Sequence, residues 1–102
     1  MVIWSFPARD DLRSIYDYIA RDAKFFAKKI ADELIELSES LEHFAERGRV
    51  VPEFGDEDVR ELFIYSYRLI YELRGQDIFI LAVIHSKRDM SSINVEELRK
   101  RE

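Results

Sequence analysis

Cysteine is absent from the 102 residues, so no disulfide can brace the fold and no thiolate can hold a metal. Glycine and proline are scarce, at 3 and 2 residues, which leaves few breaks and points to regular elements rather than a loop-rich or disordered chain. Long apolar runs are also missing. The longest, Ile78 to Ile84, is far below the roughly 20 residues needed to cross a bilayer. The opening "MVIWSFPARD" has no basic stretch followed by an apolar one, so no secretion signal is expected. Together with the lack of cysteine this predicts a cytoplasmic protein with no membrane partner. A surplus of positive charge is lacking too: the formal net charge is −5, which by itself counts against nucleic acid.

What is present is a chain that is 47% hydrophobic and 13% aromatic, enough for one modest core and hence a single domain over residues 1–102. Its acidity is uneven. Residues 1–59 carry a net −6 and residues 89–102 a net −1, whereas residues 60–88 carry +2.

The periodicities predict an ordered series of elements. "VIWSF" (Val2 to Phe6) reads as a short strand stopped by Pro7, which suits the first turn of a helix. Ala8, Leu12, Ile15, Tyr16 and Ile19 recur at helical spacing. Phe26, Ile30, Leu34, Leu37, Leu41 and Phe44 continue that period after the joint "RDAK", which predicts an antiparallel helical hairpin running to Phe44. The stretch "AERGRVVPEFGDED" predicts a loop. Three runs of β-formers follow, Val59 to Tyr65, Tyr67 to Leu73 and Asp77 to His85, with "RGQD" as a hairpin turn. Asn94, with Glu97 three residues on, marks the cap of a short C-terminal helix. The predicted fold class is therefore α+β, in the order β-αα-βββ-α: an N-terminal strand, an antiparallel helical hairpin, a three-stranded antiparallel meander completing the sheet, and a short final helix. The hairpin should cover one face over Leu62 and Ile64, leaving the other face open for a site.

The candidate site comes from cations at strand ends. Arg68 lies on the parity opposite Leu69 and Tyr71; it either pairs with Glu72 or another carboxylate, or is held on a rigid strand to grip a phosphate or carboxylate with two prongs. His85, Lys87 and Arg88 crowd the end of the last run, where a histidine titrates near neutrality. With Arg60 opening the first run and Arg49 in the loop before it, regular pairing would bring Arg60, Arg68, His85 and Arg88 towards one edge. No spacing suggests a metal, a phosphate-cradling loop or a nucleophile elbow, so no cofactor is expected. His43 is explained by the end of a helix, and Tyr65, Tyr67 and Tyr71 by sheet packing rather than base stacking.

Taken together and in order, "ARDDLRSIYDYIARD", "GRVVPEFGDEDVREL", "YRLIYEL" and "VIHSKRD" resemble the RelE/ParE superfamily of toxins from type II toxin-antitoxin pairs, over nearly the whole chain. The resemblance implies a growth inhibitor neutralised by a cognate antitoxin. It also implies one of two targets. A RelE-like toxin cuts mRNA in the ribosomal A site without metal: His85 would be the acid or base, Arg68 would hold the scissile phosphate, and Arg88 would stabilise the transition state. Lys87, Arg60 and Arg49 would contact the substrate, with Glu61 as an alternative base. A ParE-like toxin blocks DNA gyrase without nuclease activity, and the same residues become interface contacts. The chemistry of His85 with Arg68 leans to the nuclease. A pI near 5.1 and the lack of a tyrosine in "DMSSIN" lean the other way, and an inactive binding module of the same fold is the third reading. An acidic antitoxin tail would wrap the hairpin and sheet and neutralise Arg68 and Arg88.

Overall fold

In the computed structural model, which describes residues 1–101, the chain enters as strand β1 (Val2–Trp4) and turns at once into helix α1 (Phe6–Ala20). The turn is local chemistry: the Ser5 hydroxyl accepts the Ala8 N–H at 3.1 Å, and Pro7 occupies the first turn, where its missing N–H costs nothing. Helix α2 (Lys24–Ser40) returns antiparallel. It stops four residues short of the expected Phe44. The Ser38 and Ser40 hydroxyls donate to the carbonyls of Ile35 and Leu37, and the backbone tightens into three-residue bonds from Leu41 to Ser38 and from Glu42 to Glu39. Leu41, just past the helix end, is therefore the last fully buried residue of the hairpin, and Phe44 stands in solvent.

Four further strands follow: β2 (Arg49–Val50), β3 (Val59–Ile64), β4 (Tyr67–Arg74) and β5 (Asp77–His85). They form one sheet in the order β1-β5-β4-β3-β2, antiparallel except for the parallel pair β1–β5. The short β2 lies within the expected loop and was not foreseen, because two residues carry no periodicity. Helix α3 (Val95–Lys100) is capped as expected, the Asn94 side-chain oxygen accepting the Glu97 N–H at 2.9 Å.

Both faces of the sheet are covered. The helical hairpin packs Ala8, Ile30 and Leu34 against Leu69, Tyr71 and Val83, with Leu62 and Ile64 at the margin as expected. The second face was expected to be open. Instead Val51, Met90 and Leu98, from the loop before β3 and from the C-terminal segment, bury Ile70, Leu81 and Ile84. The reason is the composition of β5, whose side chains are apolar on both parities and would be left wet by a two-layer fold.

Strand β5 holds one irregularity that matters below. Its pairing with β4 runs Arg74↔Asp77 to Tyr71↔Ile80, then resumes as Ile70↔Ala82, so Leu81 is an extra residue. Beyond it every side chain of β5 faces the opposite way from a regular ladder.

Tyr71 ties this core to the loop after α2. Its buried hydroxyl donates to Ala45 O at 2.8 Å and accepts the Gly48 N–H at 2.9 Å. Gly48 must be glycine for space: a Cβ there would lie 2.6 Å from Glu61 O and 2.7 Å from the Tyr71 hydroxyl. Gly48→Ala is expected to lower unfolding free energy by about 1–3 kcal/mol through overpacking, read as a urea midpoint shift at constant slope. Tyr71→Phe should cost about 1–3 kcal/mol by stranding the buried Gly48 N–H. Wild-type midpoints in both would show that this clamp carries no stability.

Candidate functional site

The hairpin turn at Tyr65–Ser66, where Tyr65 takes a positive φ of 52°, sets the register that opposes Phe63 to Arg68 and Glu61 to Ile70. Glu61 and Arg68 are thus diagonal neighbours on one face. Arg68 Nε donates to Glu61 Oε1 at 2.6 Å, and Arg49 Nε donates to Glu61 Oε2 at 2.6 Å. Glu53, from the turn after β2, closes the group: its carboxylate accepts from Arg68 Nη1 at 3.0 Å and Nη2 at 2.8 Å, a two-pronged pair. The Glu61 side chain has no exposure and that of Arg68 only 6%, whereas the Glu53 side chain keeps 35%. The Phe63 ring lies beside both guanidinium groups, 5.0 Å from Arg49 and 5.7 Å from Arg68. The hydrogen bond from Arg68 holds Glu53 below the usual carboxylate range, and the same bond to Glu53 raises Arg68.

His85 is elsewhere. It is opposite Tyr67, stacks edge-on against that ring at 5.7 Å, and lines a cleft with Tyr18, Phe26 and Tyr65 on the hairpin side. Its Nδ1 accepts the Lys87 N–H at 3.1 Å. Arg68 is opposite Ile84 and belongs to the other face. The expected convergence of Arg60, Arg68, His85 and Arg88 therefore does not occur, and the extra residue Leu81 is the cause. With a regular ladder His85 would have shared the face of Arg68. Arg60 also turns away, opposite Tyr71, and its Nη1 donates to Gly48 O at 3.0 Å. Lys87 and Arg88 are exposed beyond the strand end; Arg88 lines a small cleft with Asp11, Ile93 and Arg101. Glu61, fully engaged by two arginines, is not placed to take a proton from a substrate.

Of the candidate residues, then, the structure brings together Arg49 with Arg68, and His85 with Lys87 and Arg88, in two separate groups. Glu53 was missed altogether. The Glu61–Arg68 contact had a signal, since a two-residue turn at Tyr65–Ser66 makes those positions diagonal. Glu72, offered as one partner for Arg68, instead pairs with Arg74 and Arg99. A second strap joins Arg101 to Asp11 at 2.9 Å, while Asp11 also accepts the Val83 N–H. Tyr71 is core and Tyr67 packs at its margin, as expected, whereas Tyr65 sits on the turn at 50% exposure, and His43 lies beyond α2 rather than on its last turn because the helix stops at Ser40.

A groove of about 870 Å³ runs along β1 and the hairpin, lined by Trp4, Leu12, Tyr16 and Ile35 with Arg9 and Arg13 at its side. Large apolar side chains also stand open at the starts of the two helices, among them Phe6 and Phe25, at 77% and 86% exposure. Among the described residues no group of three His, Asp or Glu side chains is placed to hold a metal, and no helix is long and apolar enough to cross a membrane.

The Glu53–Arg68 pair makes stability depend on pH with a definite sign. Because Glu53 is lowered in the folded state, its contribution is complete above the ordinary value of 4.5 and is lost as pH falls through the depressed one. The stability difference between wild type and Glu53→Gln should therefore be present at neutral pH and shrink in acid, as followed by denaturant unfolding at several pH values. A difference that is constant with pH would mean that the pair contributes no charge interaction.

Comparison with known proteins agrees with the architecture. The family model described as "ParE toxin of type II toxin-antitoxin system, parDE" matches residues 2–90. Among solved structures the chain is similar to one from the "Chromosomal ParDE TA system from P. aeruginosa", with a TM-score of 0.72 and 24% identity over 84% of this chain and 95% of that one. At that identity the likeness speaks for the fold. No curated protein sequence matches. Matched by that family model over most of its length, and carrying the strand order described above, the chain belongs to the ParE toxin family of type II toxin-antitoxin systems.

Proposed function

We propose that this ParE toxin arrests growth by binding DNA gyrase rather than by cutting mRNA, and that a cognate antitoxin silences it. One observation carries the choice between targets: Arg68 and His85 lie on opposite faces of the sheet. Metal-independent RNA cleavage requires a proton-transfer group and a phosphate-holding cation around the same phosphorus, within hydrogen-bond reach of its oxygens. A β-sheet with its side chains separates two faces by about 10 Å, the spacing of packed layers. The pair that favoured a nuclease therefore does not assemble. The net charge of −5 supports the same choice, since a ribosome-bound toxin must contact many phosphates. Under this reading His85, Lys87 and Arg88 are interface groups, exposed together at the end of β5.

The antitoxin is assigned to the groove beside β1. The apolar lining of Leu12, Tyr16 and Ile35 suits an amphipathic segment, and Arg9 and Arg13 suit acidic residues flanking it.

In the decisive experiment, purified chain added to gyrase inhibits supercoiling, while mRNA 5′ ends mapped after induction in cells stay unchanged, in wild type and His85→Ala alike. New cleavage sites in translated messages that vanish in His85→Ala would overturn the gyrase assignment. For the antitoxin groove, Ile35→Lys should weaken binding about 10- to 100-fold, the effect of losing one buried aliphatic side chain worth about 1.5–3 kcal/mol. Its melting temperature should change little, because Ile35 is already 38% exposed in the free chain. Unchanged affinity by calorimetry would move the antitoxin to another surface.

A further inference from the structure

The four charged groups around Phe63 are not equivalent. Glu61 is immobile: it sits on β3, has no exposure, and gives one oxygen to Arg68 and the other to Arg49. Two arginines on one buried carboxylate leave a surplus positive charge, and Glu53 cancels it. Glu53 comes from a turn rather than from a strand, keeps 35% of its side chain in solvent, and touches Arg68 only through the terminal nitrogens. Those two nitrogens form the fork that recognises any carboxylate with two prongs. Strand β4 holds the fork rigidly, and Nε is anchored on Glu61, so the fork would keep its aim if Glu53 left. Beside it the Phe63 ring is 48% exposed, an apolar floor next to a cationic fork.

We propose that the Nη edge of Arg68, flanked by Arg49 and the Phe63 ring, is a carboxylate-binding site that the free chain fills with its own Glu53, and that an acidic side chain of a protein partner enters by displacing it. An isolated carboxylate next to an apolar residue fits better than a nucleic-acid phosphate. The turn that supplies Glu53 continues into Asp56, Glu57 and Asp58, and the chain as a whole carries a net −5, a balance that repels a polyanion more than a single charge. The internal ligand sets a threshold: a partner must compete with a tethered carboxylate, so a lone small anion binds the wild-type chain weakly and a partner with further contacts binds well. The site does not depend on which target the toxin inhibits.

The test is a titration of the full chain and of Glu53→Gln with acetate, at fixed ionic strength, following the Arg68 Nε–Hε resonance by NMR. That resonance belongs to the same guanidinium, one bond from the carbon that carries both fork nitrogens, and so senses a change of ligand on the Nη edge. Saturable shifts in Glu53→Gln, with a dissociation constant at least ten-fold below that of the wild type, are expected. Equal responses from the two proteins would overturn the plug, and the absence of a saturable shift in Glu53→Gln would overturn the site. Inorganic phosphate is the second arm: binding tighter than acetate to Glu53→Gln would overturn the assignment to a protein carboxylate. Should Glu53→Gln fail to fold, Glu53→Ser removes the carboxylate while leaving a small polar side chain on the turn, and the same comparisons decide.

Discussion

The pairing of β4 with β5 runs through the middle of the sheet, and the extra residue Leu81 is the constraint on which the rest of the structure hangs. Up to Ile80 the strand presents Ile78 and Ile80 to the helical hairpin; beyond it Val83 and His85 take that side, and Ala82 and Ile84 go to the other. A strand that is apolar on both parities feeds two cores in any register, and the inserted residue decides which of its side chains goes to which core. Leu81 itself is buried in the second core, beneath the C-terminal segment and α3. The same shift carries His85 away from Arg68, so the character of the surface follows from a packing requirement in the centre.

The charged residues are organised by what that packing leaves. On the second face Glu61 and Arg68 are enclosed, and an enclosed charge must be matched, since removing one partner of a buried pair typically costs about 3–5 kcal/mol. Arg49 and Glu53 complete the match from the edge strand and its turn. At the other end of the sheet Arg99 bridges Glu72, Asp56 and Glu96 while Arg101 bridges Asp11, so the C-terminal helix is strapped by arginines over the apolar contacts of Leu98. A ParE toxin of net charge −5 has in this way committed Arg49, Arg68, Arg74, Arg99 and Arg101 to its own carboxylates. What remains exposed and cationic at the end of β5 is a small group, suited to contact with a protein rather than to gripping a polyanion.

Much of the fold was legible because it rests on local rules. The helical period of Leu12, Ile15 and Ile19, the turn residues "RGQD" and the cap Asn94 each act within a few residues, and each element appeared where its signal lay. The exceptions have local causes as well: serine hydroxyls end α2 before Phe44, and β2 is too short to show alternation. The candidate site was legible only in its residue types. For Arg68 the sequence left open both a carboxylate pair and a ligand-gripping role; it pairs, but the partner at spacing four, Glu72, gives way to Glu61 across the turn and to Glu53 from a loop 15 residues away.

The sequence by itself determined the kinds and order of the elements, the absence of thiol chemistry, and the toxin family, since all of these are carried by composition, periodicity and short ordered motifs. The tertiary structure alone decided which side chains share a face. A strand's parity is a global quantity that one extra residue reverses, and nothing in "DIFILAVIH" shows where that residue falls, because every position in its apolar centre is equally ready to be buried on either side.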